Sequence, residues 1–180
     1  MDKCDEVFGW LEPVEIEFLK EQSKGKRCLE LGSYQGKSSV CMAEGAIHLT
    51  CVDTFSADGS GQNQMDKFTT WDIFIENTKG FSNIYPIIGK TQETVPILLD
   101  DFYDFIFIDA SHSYLDVLLD IEVCWPKLKI GGIMALHDYG WNGYKDGGPK
   151  KAFDQIFGLP KHKPIFSIAY TRKESNEYVG

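Results

Sequence analysis

Residues 27–55 read RCLELGSYQGKSSVCMAEGAIHLTCVDTF, and the fold follows from them. The run from Arg27 to Leu31 is short and mostly apolar, which suits a strand covered on both faces. Gly32 and Gly36 follow in a small polar loop. The pattern then predicts a helix over 38–46 and a second strand over 48–55. A strand, a glycine loop, a helix and a strand make a unit whose two strands run parallel, because the helix returns the chain across the sheet.

The same alternation continues outward on both sides. Upstream, residues 13–22 predict a helix with Pro13 in its first turn and Leu11, Val14 and Phe18 at helical spacing. Downstream, 64–78 predicts a helix with Phe68, Trp71 and Ile75 on one side, 84–88 a strand, and 92–99 a helix. The most hydrophobic run, FYDFIFI at 102–108, stops at Asp109. A helix is expected over 114–125, with Leu118, Ile121 and Trp125 at helical spacing. Gly131-Gly132 is expected to turn the chain into a strand over 133–136. A helix over 149–157 sets Ala152, Phe153, Ile156 and Phe157 on one face, with Gly158 placed to end it. Residues 165–171 read as the last strand. The expected fold is therefore α/β: a Rossmann-like, doubly wound, mostly parallel sheet of six or seven strands with helices on both faces. One domain is expected to span 1–180.

Composition narrows the function. With 18 Lys+Arg against 27 Asp+Glu the net charge is −9, so no basic stripe is available to neutralise phosphates. Nucleic acid and anionic membrane surfaces are disfavoured as partners. No run approaches the ~18 apolar residues of a membrane span, and no basic region leads into an apolar leader. The five cysteines show no zinc spacing and read as buried free thiols, which suits a reducing cytoplasm.

Ligands of such folds sit beyond the carboxyl ends of the strands. The loop Glu30-Leu-Gly32-Ser33-Tyr-Gln-Gly36-Lys-Ser38 occupies the first such place, and its glycines allow a tight turn and close approach of a ligand. Two glycines also serve in a plain structural turn. Asp53 ends the second strand about 20 residues beyond Gly32, where a carboxylate accepts hydrogen bonds from a ribose diol. It would serve equally as a turn or cap aspartate.

The segment from Glu30 to Ser38 resembles motif I of class I methyltransferases, E/D-x-G-x-x-x-G-x-S, and Asp53 resembles the acid of motif II. The resemblance runs over roughly residues 25–140. It implies S-adenosylmethionine as cofactor, with Glu30, Gly32, Ser33, Gly36, Ser38, Asp53 and Asp109 around it. Thr91 and Gln92, after the third strand, resemble the segment that packs on adenine. Asp109-Ala-Ser-His112-Ser-Tyr114 resembles the D-x-x-H-S-Y element of a subgroup of small-molecule O-methyltransferases. Leu128-Lys-Ile-Gly131-Gly132 and His137-Asp138 resemble the segment and polar pair of the fifth strand. Related enzymes hold a divalent cation there, which implies Asp109, His137 and Asp138 as ligands for Mg²⁺ or Mn²⁺. Histidine stands at 137 where relatives usually carry an acid, and it tilts the choice toward a transition metal. His112, whose imidazole ordinarily titrates near neutrality, is the candidate general base, with Asp109 beside it. Local roles remain open for both histidines: His112 as a helix cap, His137 as a buried ring bonded to backbone.

The expected reaction is methylation of a hydroxyl on a small-molecule acceptor such as a sugar or glycosylated metabolite. Residues 56–64 and 139–148 follow strand ends and mix small residues with aromatics, as a lid over an acceptor would. Two other readings stand beside it: a domain that binds S-adenosylmethionine without turnover, and a nicotinamide-dependent oxidoreductase. The latter lacks a Tyr-x-x-x-Lys pair. An exposed edge at the last strand would favour a homo-oligomer.

Overall fold

The computed structural model describes residues 3–56, 70–141, 143 and 147–177. Its elements are α1 (Lys3–Glu6), α2 (Pro13–Ser23), β1 (Arg27–Leu31), α3 (Lys37–Ala43), β2 (His48–Asp53), α4 (Thr70–Thr78) and β3 (Ile84–Ile88). After these come α5 (Thr91–Thr94), β4 (Tyr103–Ile108), α6 (Tyr114–Cys124), β5 (Leu128–Leu136), α7 (Gly148–Phe157) and β6 (Ala169–Arg172). The six strands form one sheet in the order β3-β2-β1-β4-β5-β6. All pairs are parallel except β5 with β6.

The strands alternate their burial between two cores, as the two-residue side-chain period demands. Leu29, Leu31, Ile106, Ile108, Met134 and Leu136 point to one face and pack with Val117 and Ile121 of α6 and with Ala152 and Phe153 of α7. Cys28, Cys51, Phe105, Phe107, Ile133 and Ala135 point to the other and pack with Phe18 and Leu19 of α2 and with Met42 and Ala43 of α3. The order reverses between β1 and β4, so the loops after them diverge around a crevice at the carboxyl edge.

Several expectations need correction. β5 runs through Gly131-Gly132 as one strand from Leu128, with a register shift opposite Tyr103 and Phe105 and Gly131 at φ 84°. The glycines make a bulge inside a strand, not a turn before one. The last strand begins at Ala169; Ile165 makes only an isolated bridge with Ile168. Pro96 tightens the end of the 92–99 segment into a turn of 3-10 helix, Val95–Ile97. On α2 Glu15 is buried with Phe18 and Leu19, while Val14 is exposed; on α4 Phe74 is buried and Ile75 exposed. Residues 64–69 of the expected α4 helix, with Phe68, lie outside the described residues. So do 57–64 and parts of 139–148. Cys4 of α1 is bonded to Cys41 of α3, so the free-thiol reading holds only for the buried Cys28, Cys51 and Cys124. Among the described residues no helix is long and apolar enough to cross a membrane.

Phe107 is fully buried and its ring lies edge-on to His137 at 6.1 Å. Phe107→Ala is expected to cost about 3–5 kcal/mol, the scale of emptying a packed aromatic site. A shift of the urea midpoint worth under ~1 kcal/mol would show that the β4 face is not the packed support described.

Candidate active site

The crevice is built by two loops that touch. Gly32 N–H donates to Val52 O at 2.9 Å and Asp109 N–H to Leu31 O at 2.8 Å, so the ladders carry both loops to the same edge. Gly32 has φ 83°, and a Cβ there would lie 2.1 Å from the Asp109 carbonyl oxygen. Only glycine permits this approach.

Glu30 lies beneath the loop, fully buried. Its Oε2 accepts from Ser33 Oγ at 2.7 Å and from Ser39 Oγ. Burial pushes its pKa up, and hydroxyl bonds from Ser38, Ser39 and Ser33 only partly oppose this. Its Oε1 has no hydrogen-bond partner among the described residues. A buried carboxylate oxygen without a partner beside a glycine loop fits an incoming ammonium donor. Asp53 shapes the loop from the other side. Its Oδ2 accepts from the Ser33 and Tyr34 amides at 2.7 and 2.8 Å, and its Oδ1 from the Phe55 amide at 2.7 Å. Each carboxylate oxygen offers two lone pairs, so Oδ1 keeps capacity for one further donor such as a hydroxyl.

Four polar side chains meet beyond β4 and β5. His112 Nε2 lies 2.9 Å from Asp138 Oδ2 and 3.5 Å from Asp109 Oδ1. His137 Nδ1 lies 3.4 Å from Asp109 Oδ1 and 3.3 Å from Asp138 Oδ1. Asp138 is held at φ 56°, a backbone strain that non-glycine residues seldom adopt and that gathers at functional sites. His112 does not cap α6. Ser113 does, its Oγ accepting from the Asp116 amide at 3.3 Å. Burial lowers the His112 pKa, but the bonds and charges of Asp109 and Asp138 outweigh it and raise it to about 9. The same ion pairs hold Asp109 and Asp138 below the ordinary carboxylate range against the opposing effect of burial, and keep His137 protonated far above the imidazole range.

The cluster has a donor set for a metal. Asp109, His137 and Asp138 each offer one ligand atom, all within 4.8 Å of one another. Two carboxylate oxygens and one imidazole nitrogen are a donor set that a divalent ion can take.

Thr91 and Gln92 stand apart from this arrangement. Thr91 Oγ1 and Gln92 Nε2 both donate to Asp120 Oδ1 of α6, Gln92 at 2.7 Å, so these side chains are spent on tying α5 to α6. Glu15 of α2 is the residue the sequence reading missed. It is buried, and its Oε2 lies 3.4 Å from His137 Nε2. A charged residue at position 15 between Leu11 and Phe18, on the apolar stripe, was the available signal.

The methyltransferase-domain family profile matches residues 29–139, from β1 through the polar pair after β5. The chain belongs to this family. It is thus an S-adenosylmethionine-dependent methyltransferase of class I. Its fold is similar to cofactor-bound Rv0187 from MTB, at 14% identity over 96% of this chain and 87% of that one, TM-score 0.71. An O-methyltransferase from Bacillus cereus in complex with S-adenosylhomocysteine matches at 16% identity over 87% and 79%, TM-score 0.66. A candidate O-methyltransferase from Klebsiella pneumoniae matches at 15% identity over 93% and 83%, TM-score 0.65. No curated protein matches the methyltransferase in sequence.

Two outcomes follow from this geometry. Gly32→Ala is expected to cost at least ~2 kcal/mol, since strain at positive φ adds to a clash with backbone. A urea midpoint equal to wild type would contradict the loop contact. His112 has its pKa raised above the unfolded value of about 6.5, so its stabilisation is complete below that pH and is lost as pH rises through about 9. Chelator-treated protein should lose stability across that window, and His112→Asn should flatten the loss. An unchanged slope in the variant would contradict the pairing with Asp109 and Asp138.

Proposed function

We propose that the methyltransferase acts on a hydroxyl of a small-molecule acceptor, such as a sugar or glycosylated metabolite, beside a divalent cation held by Asp109, His137 and Asp138. The observation that carries this reading is the contact of Gly32 with the Asp109 backbone. It supports the reading because the glycine loop, expected to cradle the donor, lies against the loop that carries Asp109 and His112, expected to manage the acceptor hydroxyl.

S-adenosylmethionine, when bound, supplies an electrophilic methyl group on a sulfonium. Glu30 would receive the ammonium of its methionine end, and Asp53 would take a ribose hydroxyl while its bonds to the Ser33, Tyr34 and Phe55 amides keep the loop in place. Ser33 and Ser38 keep the Glu30 carboxylate fixed under the loop. Orientation of the acceptor oxygen in line with the methyl carbon supplies much of the rate. As the methyl group passes to the acceptor oxygen, with the carbon–sulfur pair left on sulfur, His112 would take the acceptor proton. Asp109 and Asp138 would hold the cation, whose charge would offset theirs and leave the His112 imidazole able to take that proton. The similar proteins from Bacillus cereus and Klebsiella pneumoniae are an O-methyltransferase and a candidate O-methyltransferase, which supports oxygen as the acceptor atom. The net charge of −9 disfavours nucleic acid as the acceptor.

Asp53→Ala should lower cofactor affinity by about 1.5–3 kcal/mol, the scale of hydrogen bonds to a charged group. Unchanged affinity by calorimetry would remove Asp53 from the cofactor site. In a panel of sugars and phenols scored by S-adenosylhomocysteine release, His112→Ala should lower turnover by roughly 10²–10⁴ while cofactor affinity holds. Turnover within about threefold of wild type would rule out the proton-accepting role.

A further inference from the structure

Glu15 comes from α2, far in sequence from the residues it meets. Its Oε1 accepts from Ser167 Oγ at 2.6 Å and from the Ser167 amide at 3.0 Å, and its Oε2 accepts from the Glu12 amide at 3.0 Å. These three bonds, from both ends of the chain, fix the carboxylate so that Oε2 also faces His137 Nε2. Burying a charge is costly unless it is paired, and His137 is the ionisable group it meets.

The other ring nitrogen faces the opposite way. Nδ1 is approached by Asp109 Oδ1 and Asp138 Oδ1 at 3.4 and 3.3 Å. One nitrogen donates a single proton, so it cannot satisfy both carboxylates. Ligand atoms at right angles around an ion with bonds of ~2.1 Å are roughly 3 Å apart, close to the observed spacing. Metal-bound histidines usually donate their second ring N–H to a carboxylate, which fixes tautomer and ring orientation.

We infer that Glu15 is a positioning residue: it receives the His137 Nε2–H and so presents Nδ1, with Asp109 and Asp138, as a mixed nitrogen–oxygen site selective for Mn²⁺ or a similar transition ion over Mg²⁺. This rests on the cation reading given under the proposed function. The selectivity follows because imidazole suits transition ions, whereas Mg²⁺ prefers oxygen ligands and retained water.

The test is metal binding to chelator-treated full-length protein, read by the loss of the free Mn²⁺ paramagnetic signal and by Mg²⁺ competition. Wild type should bind Mn²⁺ and prefer it to Mg²⁺. Glu15→Gln should weaken Mn²⁺ by about 10–100-fold and lower the Mn²⁺/Mg²⁺ ratio. Ser167→Ala removes a fixing bond but leaves the Glu15 carboxylate, and should keep Mn²⁺ affinity within about threefold, which separates metal loss from local unfolding. His137→Asp should shift preference toward Mg²⁺ without involving Glu15. If wild type binds none of these ions, the cation reading fails and the inference with it. If wild type and Glu15→Gln bind Mn²⁺ equally with the same ratio, the inference alone is overturned.

Discussion

The site depends on one close approach, that of Gly32 to the backbone of Asp109. Parallel strands on either side of the reversal point send their loops apart, which opens a crevice but does not join what lies on its two sides. Absence of a side chain at Gly32 brings the loop after β1 within contact of the loop after β4. The glycine loop, the buried Glu30 beneath it and the acid–histidine cluster thereby become one surface. The cores on both faces of the sheet hold β1 and β4 in the register that makes this contact possible.

Charge is the second constraint. Glu15, Glu30 and His137 are buried, Asp109 and Asp138 are half-buried beside them, and a buried charge would be costly alone. Serine hydroxyls offset the burial of Glu30, and imidazoles offset that of the other acids. The arrangement is economical with partners. Among the described residues Glu30 Oε1 has no partner, and Asp109 is shared between both histidines. Such incomplete satisfaction is uncommon in a purely structural interior and is natural where a ligand completes the set.

Much of this was legible in the sequence because strand ends and glycine positions are local signals. Glu30, Gly32, Asp53, Asp109 and Asp138 all stand at or just after apolar runs, and the fold gathers such positions at one edge. What was not legible depended on distant contacts. Glu15 looks like the third member of a helix-start pattern, and it is one, since it also accepts from the Glu12 amide. Its meeting with His137 spans 122 residues and no local pattern encodes it. Thr91 and Gln92 were correctly placed after β3, but position alone did not reveal that Asp120 would claim their side chains. Gly131-Gly132 reads as a turn by composition, yet β4 supplies a ladder on both sides of it and the strand continues as a bulge.

The most direct measurement is a calorimetric titration of S-adenosylhomocysteine, and separately of NAD, into the chelator-treated full-length protein. The account requires saturable, one-to-one binding of S-adenosylhomocysteine and no heat from NAD. Binding of NAD, or no binding of S-adenosylhomocysteine by folded protein, would contradict the assignment of the crevice between β1 and β4 as a methyl-donor site.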